Sequence, residues 1–430
     1  MAEALSALLL SQDESASTRG KNPDMAIRNS ANRAVHRPGR YLAALHPHGD
    51  SASIAATQPL RSGSIPLKFR PRNTGGVGRV GFRGAGRGGP TPVRDRFVNR
   101  YFPFVLLLVI VVLGLPGTVP SSRAKEAVTF RIASLAPAGS SWMKVLNAWK
   151  KTLESETEGR LKLRFYPGGA QGDERDFVRK MRVGQLDGGV VTMTGMSMLV
   201  RPMVILVLPN FLDTYEKLDR VRLKMAGEFE KLFEDEGFTM LAWGDAGKTR
   251  LFSQKAIEKP SDIKSMRPWM WKDDLVFIEF YDVIGANGVR LGVNEVYPGL
   301  QTKMVDVVTS SALTAVALQW YTRVNYMTAH NSAIIAGGMV MRKDKVDALP
   351  ADLKETLLRS SERVEVLLNK TIRRDDQKAY DVVLKKGIVA TDTSKYKAEW
   401  DAAAKKVRDR MTGRVFPKSL LQAVEAAAAE

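Results

Sequence analysis

From about residue 128 onward the chain alternates short β-strand patterns with helix patterns. Val128–Ser134 and Leu161–Tyr166 show the apolar–polar alternation of strands, and a third strand is predicted at Leu186–Met193. Between the first two strands, a serine at the start and Gly159 at the end delimit a predicted helix. Strands separated by helices of this length predict an α/β fold with a parallel sheet covered on both faces.

The pattern is densest in residues 261–311, which we interpret as strand, helix, strand, helix, strand. Small ligands collect at the carboxyl ends of strands in such sheets. Two polar or aromatic groups follow strands here, the tryptophans Trp269 and Trp271 and the pair Ser310–Ser311. The sequence therefore predicts that this stretch contributes to a ligand site.

The remaining pattern predicts two lobes. Phe211–Gly237 is expected to be one long amphipathic helix, and Phe238–Trp243 and Ile334–Met341 are expected to be strands. A helix opening at Pro350 meets no Gly or Pro until about Lys386, which at 1.5 Å per residue gives about 50 Å, enough to brace two lobes. The alternation crosses into a second block near 246 and returns near 334. We expect lobe 1 to comprise 125–245 with about 335–430, and lobe 2 to comprise 246–334.

Charge and composition separate the first quarter of the chain from the rest. Residues 1–124 hold 17 Lys and Arg against 6 Asp and Glu, so +11 of the net +19 lies there. Residues 1–92 are rich in Arg, Gly, Ser and Pro and are expected to be disordered. Because the basic excess lies mainly outside the expected folded part, no nucleic-acid partner is predicted.

Residues 93–124 have the three parts of a signal peptide. Three arginines precede the apolar run Phe104–Leu115, and Ser122 and Ala124 suit a cleavage site. The run is about a dozen residues, short for a membrane span of about 20, although an uncleaved anchor is the alternative. Since signal peptides begin chains, we expect translation to start at Val93 or Val98 and the mature chain to be periplasmic.

Few residues suited to catalysis or metal binding are present. The chain has no Cys, and of its four His only His330 lies beyond residue 124. Thiolate chemistry and a multi-His metal site are excluded from the mature chain. We therefore expect no catalytic residues, no metal and no cofactor, and an enzyme is disfavoured.

Three motifs resemble those of the solute-binding proteins of tripartite ATP-independent periplasmic (TRAP) transporters, DctP type. They are Gly168–Asp187, similar to a GG-x-x-G-x-E-R…G-x-x-D block; Ser261–Met266, similar to a DLKGLK block; and Asn294–Asp306, similar to an SEVYxALQxGxVD block. The resemblance spans about residues 125–425. It implies a two-lobed clamshell with a long C-terminal helix. Such a receptor closes on a small organic anion and delivers it to a TRAP membrane permease driven by an ion gradient.

The resemblance also implies ligand contacts, with departures from the family pattern. Trp269 stands where the family places the arginine that pairs with the ligand carboxylate, and Arg267, two residues earlier, is a candidate substitute. Arg250 matches a second family arginine, and Ser310 matches a family Asn. Trp243 completes the predicted ligand-binding set, with core packing as the alternative for both tryptophans and surface charge as the alternative for both arginines. These changes favour a ligand that depends less on one carboxylate, or that has an aromatic or apolar body.

Another function fits the same sequence features. A periplasmic binding protein that serves a sensor or another transporter class would show the same pattern, and neighbouring permease genes would favour the TRAP interpretation. Ligand identity and oligomeric state are not predicted.

Overall fold

The structure is a computed structural model that describes residues 127–429. The predicted disorder of 1–92 and the predicted signal peptide at 93–124 lie outside these residues. The strands are β1 (Val128–Ser134), β2 (Leu161–Tyr166), β3 (Gly188–Thr192), β4 (Phe238–Ser253), β5 (Trp269–Trp271), β6 (Val289–Leu291), β7 (Val307–Ser310), β8 (Tyr326–Thr328), β9 (Ala333–Arg342) and β10 (Val389–Thr391).

Helices connect nearly all of these strands. They are α1 (Ser141–Glu156), α2 (Glu174–Arg182), α3 (Met193–Leu199), α4 (Tyr215–Lys224), α5 (Ala226–Asp235), α6 (Leu275–Ile284), α7 (Val293–Gln301), α8 (Ala312–Ala317), α9 (Lys343–Asp347), α10 (Ala351–Lys385), α11 (Lys397–Met411) and α12 (Lys418–Ala429). Short 3-10 helices lie at Arg201–Val207, Pro260–Ser265, Trp320–Arg323 and Ser394–Tyr396.

The main sheet is mixed rather than parallel. Its order is β10-β8-β4-β9-β3-β1-β2, with β7 added to β4. β1 is parallel to β2 and β3, as predicted for strands joined by helices, but β9 runs antiparallel to both β3 and β4. Within the stretch 261–311, β5 and β6 pair in parallel, whereas β7 is antiparallel to β4. The fully parallel sheet was therefore a wrong prediction.

The long strand β4 joins two halves of this sheet. Its first part, Phe238–Thr249, pairs with β9, and its last four residues pair with β7. We call β1, β2 and β3, with the adjoining parts of β4 and β9, the first half-sheet. We call β7, β8 and β10, with the end of β4, the second half-sheet. The predicted crossings near 246 and 334 fall on β4 and β9, and the two-lobe division at these points stays a prediction.

Helix α10 confirms the predicted long helix. It runs for 35 residues, and its buried positions recur every three or four residues, among them Leu353, Leu357, Val364, Leu368 and Ile372. This period places one apolar stripe against the protein. Polar groups on the same helix also bind β4, since Glu365 accepts a hydrogen bond from the Trp243 backbone N–H at 2.8 Å.

The predicted single helix at 211–237 is wrong. The segment forms α4 and α5, which are separated at Met225, the residue that ends the first helix. Thr214 caps α4 by accepting from the Lys217 N–H at 3.2 Å. Gly227 lies in the first turn of α5, and the low helix propensity of Gly favours an interruption there.

Candidate ligand-binding cavity

A cavity of about 220 Å³ lies where the two half-sheets and the small sheet meet. This is just below the roughly 300–1,000 Å³ typical of small-molecule sites. The last residues of four strands line it, namely Ser134, Thr192, Trp271 and Ser310. The starts of several helices lie beside them. Strand ends from both halves of the chain therefore form one concave site, as expected for α/β proteins.

One wall of the cavity is aromatic. Four of the chain's seven tryptophans line it: Trp142, Trp269, Trp271 and Trp320. Trp269 stacks on Trp271 with ring centroids 6.0 Å apart, and it meets Trp320 edge-on at 5.3 Å. These separations are in the favourable range for aromatic pairs, so the rings hold one another in place.

Three of these indole N–H groups already have acceptors in the protein. Trp142 donates to the Asp245 carbonyl at 3.0 Å, and Trp269 donates to the Leu291 carbonyl at 3.0 Å. Trp271 donates to the Asp173 carboxylate at 3.1 Å. The ring faces and edges, rather than these N–H groups, are what the three tryptophans present to the cavity.

Asp173 and Arg175 connect the first half-sheet's helix α2 to the opposite wall. The Asp173 carboxylate accepts from the Trp271 indole and from the Val293 backbone N–H, each at 3.1 Å. It also caps its own helix by accepting from the Glu174 N–H at 2.7 Å. Arg175 forms an ion pair with Asp273. These contacts hold the segment at 173–175 against the segments at 271–273 and 293.

Glu174 is buried at the cavity and fully engaged by the turn after β3. Its carboxylate accepts from the Thr192 N–H at 2.7 Å, from the Thr192 hydroxyl at 2.9 Å and from the Gly195 N–H at 2.7 Å. Gly195 suits this close approach, because a Cβ there would lie 2.8 Å from both a Glu174 oxygen and the Val191 Cβ. Burial raises the pKa of Glu174 to about 8, against the lowering effect of these donors.

Two further carboxylates line the cavity. Asp245 is buried and paired with Arg222 at 2.8 Å and with Arg373 at 2.7 Å, and Arg373 also binds Asp219. The charge of Asp245 is thus compensated by α4 and α10. Asp274 caps α6 by accepting from the Val276 and Phe277 N–H groups, and burial raises the pKa of its carboxyl. Among the described residues that line the cavity there is no Lys or Arg.

The structure brings Trp269 and Ser310 of the predicted set to the cavity. The Ser310 hydroxyl donates to the Ser311 carbonyl at 3.0 Å. Trp243 lies elsewhere, against Phe229 at 6.0 Å and beneath the Arg222 guanidinium at 4.9 Å. Its neighbours Ala242 and Gly244 line the cavity instead, because alternate residues of a strand face opposite sides.

Neither Arg250 nor Arg267 lines the cavity in this structure, and their role as ligand contacts stays a prediction. A bulge at Asp245–Gly247 shifts the alternation of β4, so Thr249 lines the cavity and Arg250 points toward α10. There the guanidinium lies over the Tyr380 ring at 4.5 Å, its Nε has no partner, and burial lowers its pKa. Arg267 precedes β5 rather than lying on it, and its exposed side chain is 3.5 Å from Asp306.

Trp142 and Glu174 are cavity residues that the sequence interpretation missed or set aside. Trp142 lies in the first turn of α1, which follows β1 after a short loop and is capped by Ser140. Its position near the carboxyl end of a strand was the signal that could have placed it at the cavity. Glu174 was not among the predicted site residues, because an acidic residue in the first turn suits any helix. Its burial depends on the turn at 192–195, which is distant in sequence.

The sequence profile of the DctP family, bacterial extracellular solute-binding protein family 7, matches residues 132–414. The chain belongs to this family. The predicted DctP-type resemblance is thereby confirmed, and this is a family of solute receptors rather than of enzymes. The profile covers all the strands and helices that form the cavity, except for the first residues of β1.

Known DctP-like proteins match over most of the folded region at low identity. A solute-binding protein of Chromohalobacter salexigens is 26% identical over 199 residues, 45% of this chain and 58% of that protein. The 2,3-diketo-L-gulonate-binding periplasmic protein YiaO of Escherichia coli is 25% identical over 260 residues, 60% of this chain and 79% of that protein.

A solved structure supports the fold. The TRAP periplasmic solute-binding protein of Citrobacter koseri with bound D-glucuronate has a TM-score of 0.64 at 22% identity, and the match covers 70% of this chain and 99% of that one. The predicted α/β periplasmic-binding-protein fold of this DctP-family chain is confirmed. Among residues 127–429, no helix has the length and apolar character needed to cross a bilayer.

Proposed function

We propose that the chain is an extracytoplasmic receptor that captures a small organic acid in the cavity and delivers it to a TRAP membrane permease. The observation that carries the proposal is the cavity itself, formed by strand ends from both half-sheets in a chain of a solute-receptor family. The hydrogen bonds of Asp173 with Trp271 and Val293 hold two sides of the cavity together, as capture of a small solute requires.

The proposed ligand class draws on relatives of the chain. YiaO is named for binding 2,3-diketo-L-gulonate, and the Citrobacter koseri protein holds D-glucuronate. Both compounds are organic acids, and the cavity volume of about 220 Å³ suits a compound of small size. Trp269 and Ser310, which line the cavity, are the proposed ligand contacts among the residues first singled out from the sequence.

We infer that the bound solute leaves unchanged. No His or Lys is among the described residues that line the cavity, the chain contains no Cys, and Glu174, Asp245 and Asp274 are engaged in structural hydrogen bonds or ion pairs. Recovery of the intact solute after prolonged incubation with the protein is expected. Conversion of the solute would instead indicate an enzyme.

The proposed location is the periplasm, reached through the predicted signal peptide at 93–124. The expected mature N-terminus follows Ala124, close to where the described fold begins. N-terminal sequencing of the protein from a periplasmic extract tests this proposal. A mature chain that retains residues 104–115 and partitions with the membrane would support the uncleaved anchor.

Thermal denaturation of the full chain against a panel of organic acids tests the receptor function. A bound solute raises the melting temperature by mass action. The variant Ala317→Trp, which fills the cavity from α8, should abolish that rise. Ala426→Trp on the exposed face of α12 is the matched control and should retain it. A panel with no stabilising acid, or equal rises in both variants, would contradict the proposal.

A transport assay tests the permease partner. Cells or vesicles that hold a TRAP permease and this receptor should accumulate the solute under an ion gradient, and the Ala317→Trp receptor should not support accumulation. Uptake that persists without the receptor, or that depends on ATP rather than on the gradient, would exclude a TRAP function.

A further inference from the structure

We propose that the ligand of this receptor has a flat, apolar ring as its body and carries no more than one negative charge. The inference rests on the proposed receptor function and narrows the class of organic acid. It separates the ligand from dicarboxylates and from polyhydroxylated sugar acids. Three properties of the cavity carry it: its aromatic wall, its balance of charge, and its few uncommitted polar groups.

The aromatic wall has the geometry to receive a ring. Trp271 stacks on Trp269, and Trp269 meets Trp320 edge-on, so the three indoles form a continuous surface. Apolar side chains surround them in the lining, including Leu135, Val190, Leu275, Phe277 and Val293. A flat apolar ligand gains burial and ring–ring contact on such a wall, whereas a sugar ring would bury hydroxyls against carbon.

The charge balance disfavours a dianion. Glu174 and Asp274 line the cavity, Asp245 is already neutralised by two arginines, and none of the described lining residues is a cation. A carboxylate that enters a low-dielectric cavity loses hydration, and a second one would do so without a counter-charge and beside other carboxyl groups. A single carboxylate can remain nearer solvent, whereas a dianion with a carboxylate at each end, such as succinate, would bury at least one of them. Burial raises the pKa of Glu174, as expected for a carboxyl group held in a low-dielectric setting.

The polar groups of the lining are largely committed to the protein. Glu174 accepts three hydrogen bonds, Asp274 accepts two, and three indole N–H groups have backbone or carboxylate acceptors. The Thr309 hydroxyl is 3.2 Å from the Tyr281 hydroxyl, and the Thr314 hydroxyl is 3.0 Å from that of Ser311. A sugar acid needs a partner for each hydroxyl it buries, and an unpaired one is costly. The lining therefore suits a ligand with few polar atoms.

Asp173 acts as a positioning residue for this wall. Its carboxylate holds the Trp271 indole from across the cavity and at the same time binds the Val293 N–H, whose side chain also lines the cavity. The orientation of the Trp271 ring therefore depends on how closely α2 packs against β5 and α7. A ring-bearing ligand would bind most tightly when this contact is made.

The test measures the affinity of the full chain for five compounds by isothermal titration calorimetry. Benzoate, phenylacetate and 3-phenylpropionate represent ring monocarboxylates, succinate a dicarboxylate, and D-glucuronate a sugar acid. At least one ring monocarboxylate is expected to bind ten or more times more tightly than succinate and D-glucuronate. Tighter binding of succinate or D-glucuronate would overturn the ligand class while leaving the receptor function intact. Failure of all five, together with an empty wider panel, would contradict both.

Variants of Trp271 test whether the ring face recognises the ligand. Trp271→Leu should weaken binding of the best ring acid about tenfold. Trp271→Phe also loses the indole N–H that binds Asp173 but retains an aromatic face, so it should weaken binding about fivefold at most. Trp400→Leu is the control, because Trp400 stacks on Phe280 away from the cavity. Equal affinity for Trp271→Leu and wild type would contradict the proposal. So would a loss in Trp271→Phe as large as that in Trp271→Leu, because only the ring face distinguishes them.

Discussion

The buried side chain of Asp376 on helix α10 connects that helix to two walls of the cavity, and its replacement tests this role. Its carboxylate accepts from the Lys248 backbone N–H of β4 and from the Leu313 N–H of α8, each at 2.9 Å. Each donor residue is followed by a cavity-lining threonine, Thr249 or Thr314. One buried side chain therefore fastens the long helix to both lining segments.

The carboxylate fits closely in this position. Gly247 has a φ of +105°, and a Cβ there would lie 2.5 Å from the carboxyl carbon of Asp376. Asp376 is 3% exposed, and burial raises the pKa of its carboxyl, while the two N–H donors and the nearby Arg250 oppose that rise. The site requires an acceptor of this size and shape.

Asp376→Ala leaves two buried N–H groups without acceptors, which should cost about 1–3 kcal/mol each, or about 2–6 kcal/mol together. For a domain of this size the melting temperature should fall by roughly 5–15 °C. Asp376→Asn retains one acceptor oxygen and should fall by about half as much. Differential scanning calorimetry and urea unfolding at neutral pH measure both changes.

The matched control is Asp381→Ala, on an exposed turn of the same helix. This surface change should alter the free energy of unfolding by about 0.5 kcal/mol or less. If Asp376→Ala destabilised the protein no more than Asp381→Ala does, the two backbone hydrogen bonds would not hold the walls, and the reasoning would be refuted.

Three further predictions concern single side chains. Burial raises the pKa of Glu174 from its ordinary 4.5 to about 8, so the wild-type protein loses stability as the pH rises between these values. In urea unfolding over pH 5–8, Glu174→Gln should lose less stability than the wild type. Equal pH dependence of the two proteins would contradict this prediction. Asp173→Ala removes the acceptor of the Trp271 indole and should weaken ligand binding about fivefold or more in calorimetry, while Asp381→Ala on the exposed face of α10 serves as control. Arg267→Ala should change ligand affinity less than twofold, because the Arg267 side chain is exposed beside Asp306. A tenfold loss of affinity would instead indicate that Arg267 contacts the ligand.

Local pattern alone predicted much of the fold. The apolar alternation of β1 and β2, and the absence of Gly and Pro along α10, were correctly interpreted because each depends on neighbours within a few residues. The helix at 211–237 failed because the propensity difference at Met225–Gly227 is small compared with the packing that decides whether a helix continues.

For the cavity, the sequence by itself determined which residue types were available: tryptophans and serines at the ends of strands, a single His beyond residue 124, and no Cys. The places of Trp271 and Ser310 followed from strand ends, a rule that holds across α/β sheets, whereas Trp269 was singled out by the family resemblance. Only the tertiary structure decided that Arg250 turns away, because one bulge in β4 reverses which face each later residue occupies. It also decided that Trp142, Glu174 and Trp271 line one cavity and that Asp173 binds the Trp271 indole, since these segments are distant in sequence. Side-chain direction and long-range contact depend on register, and local sequence does not carry that information.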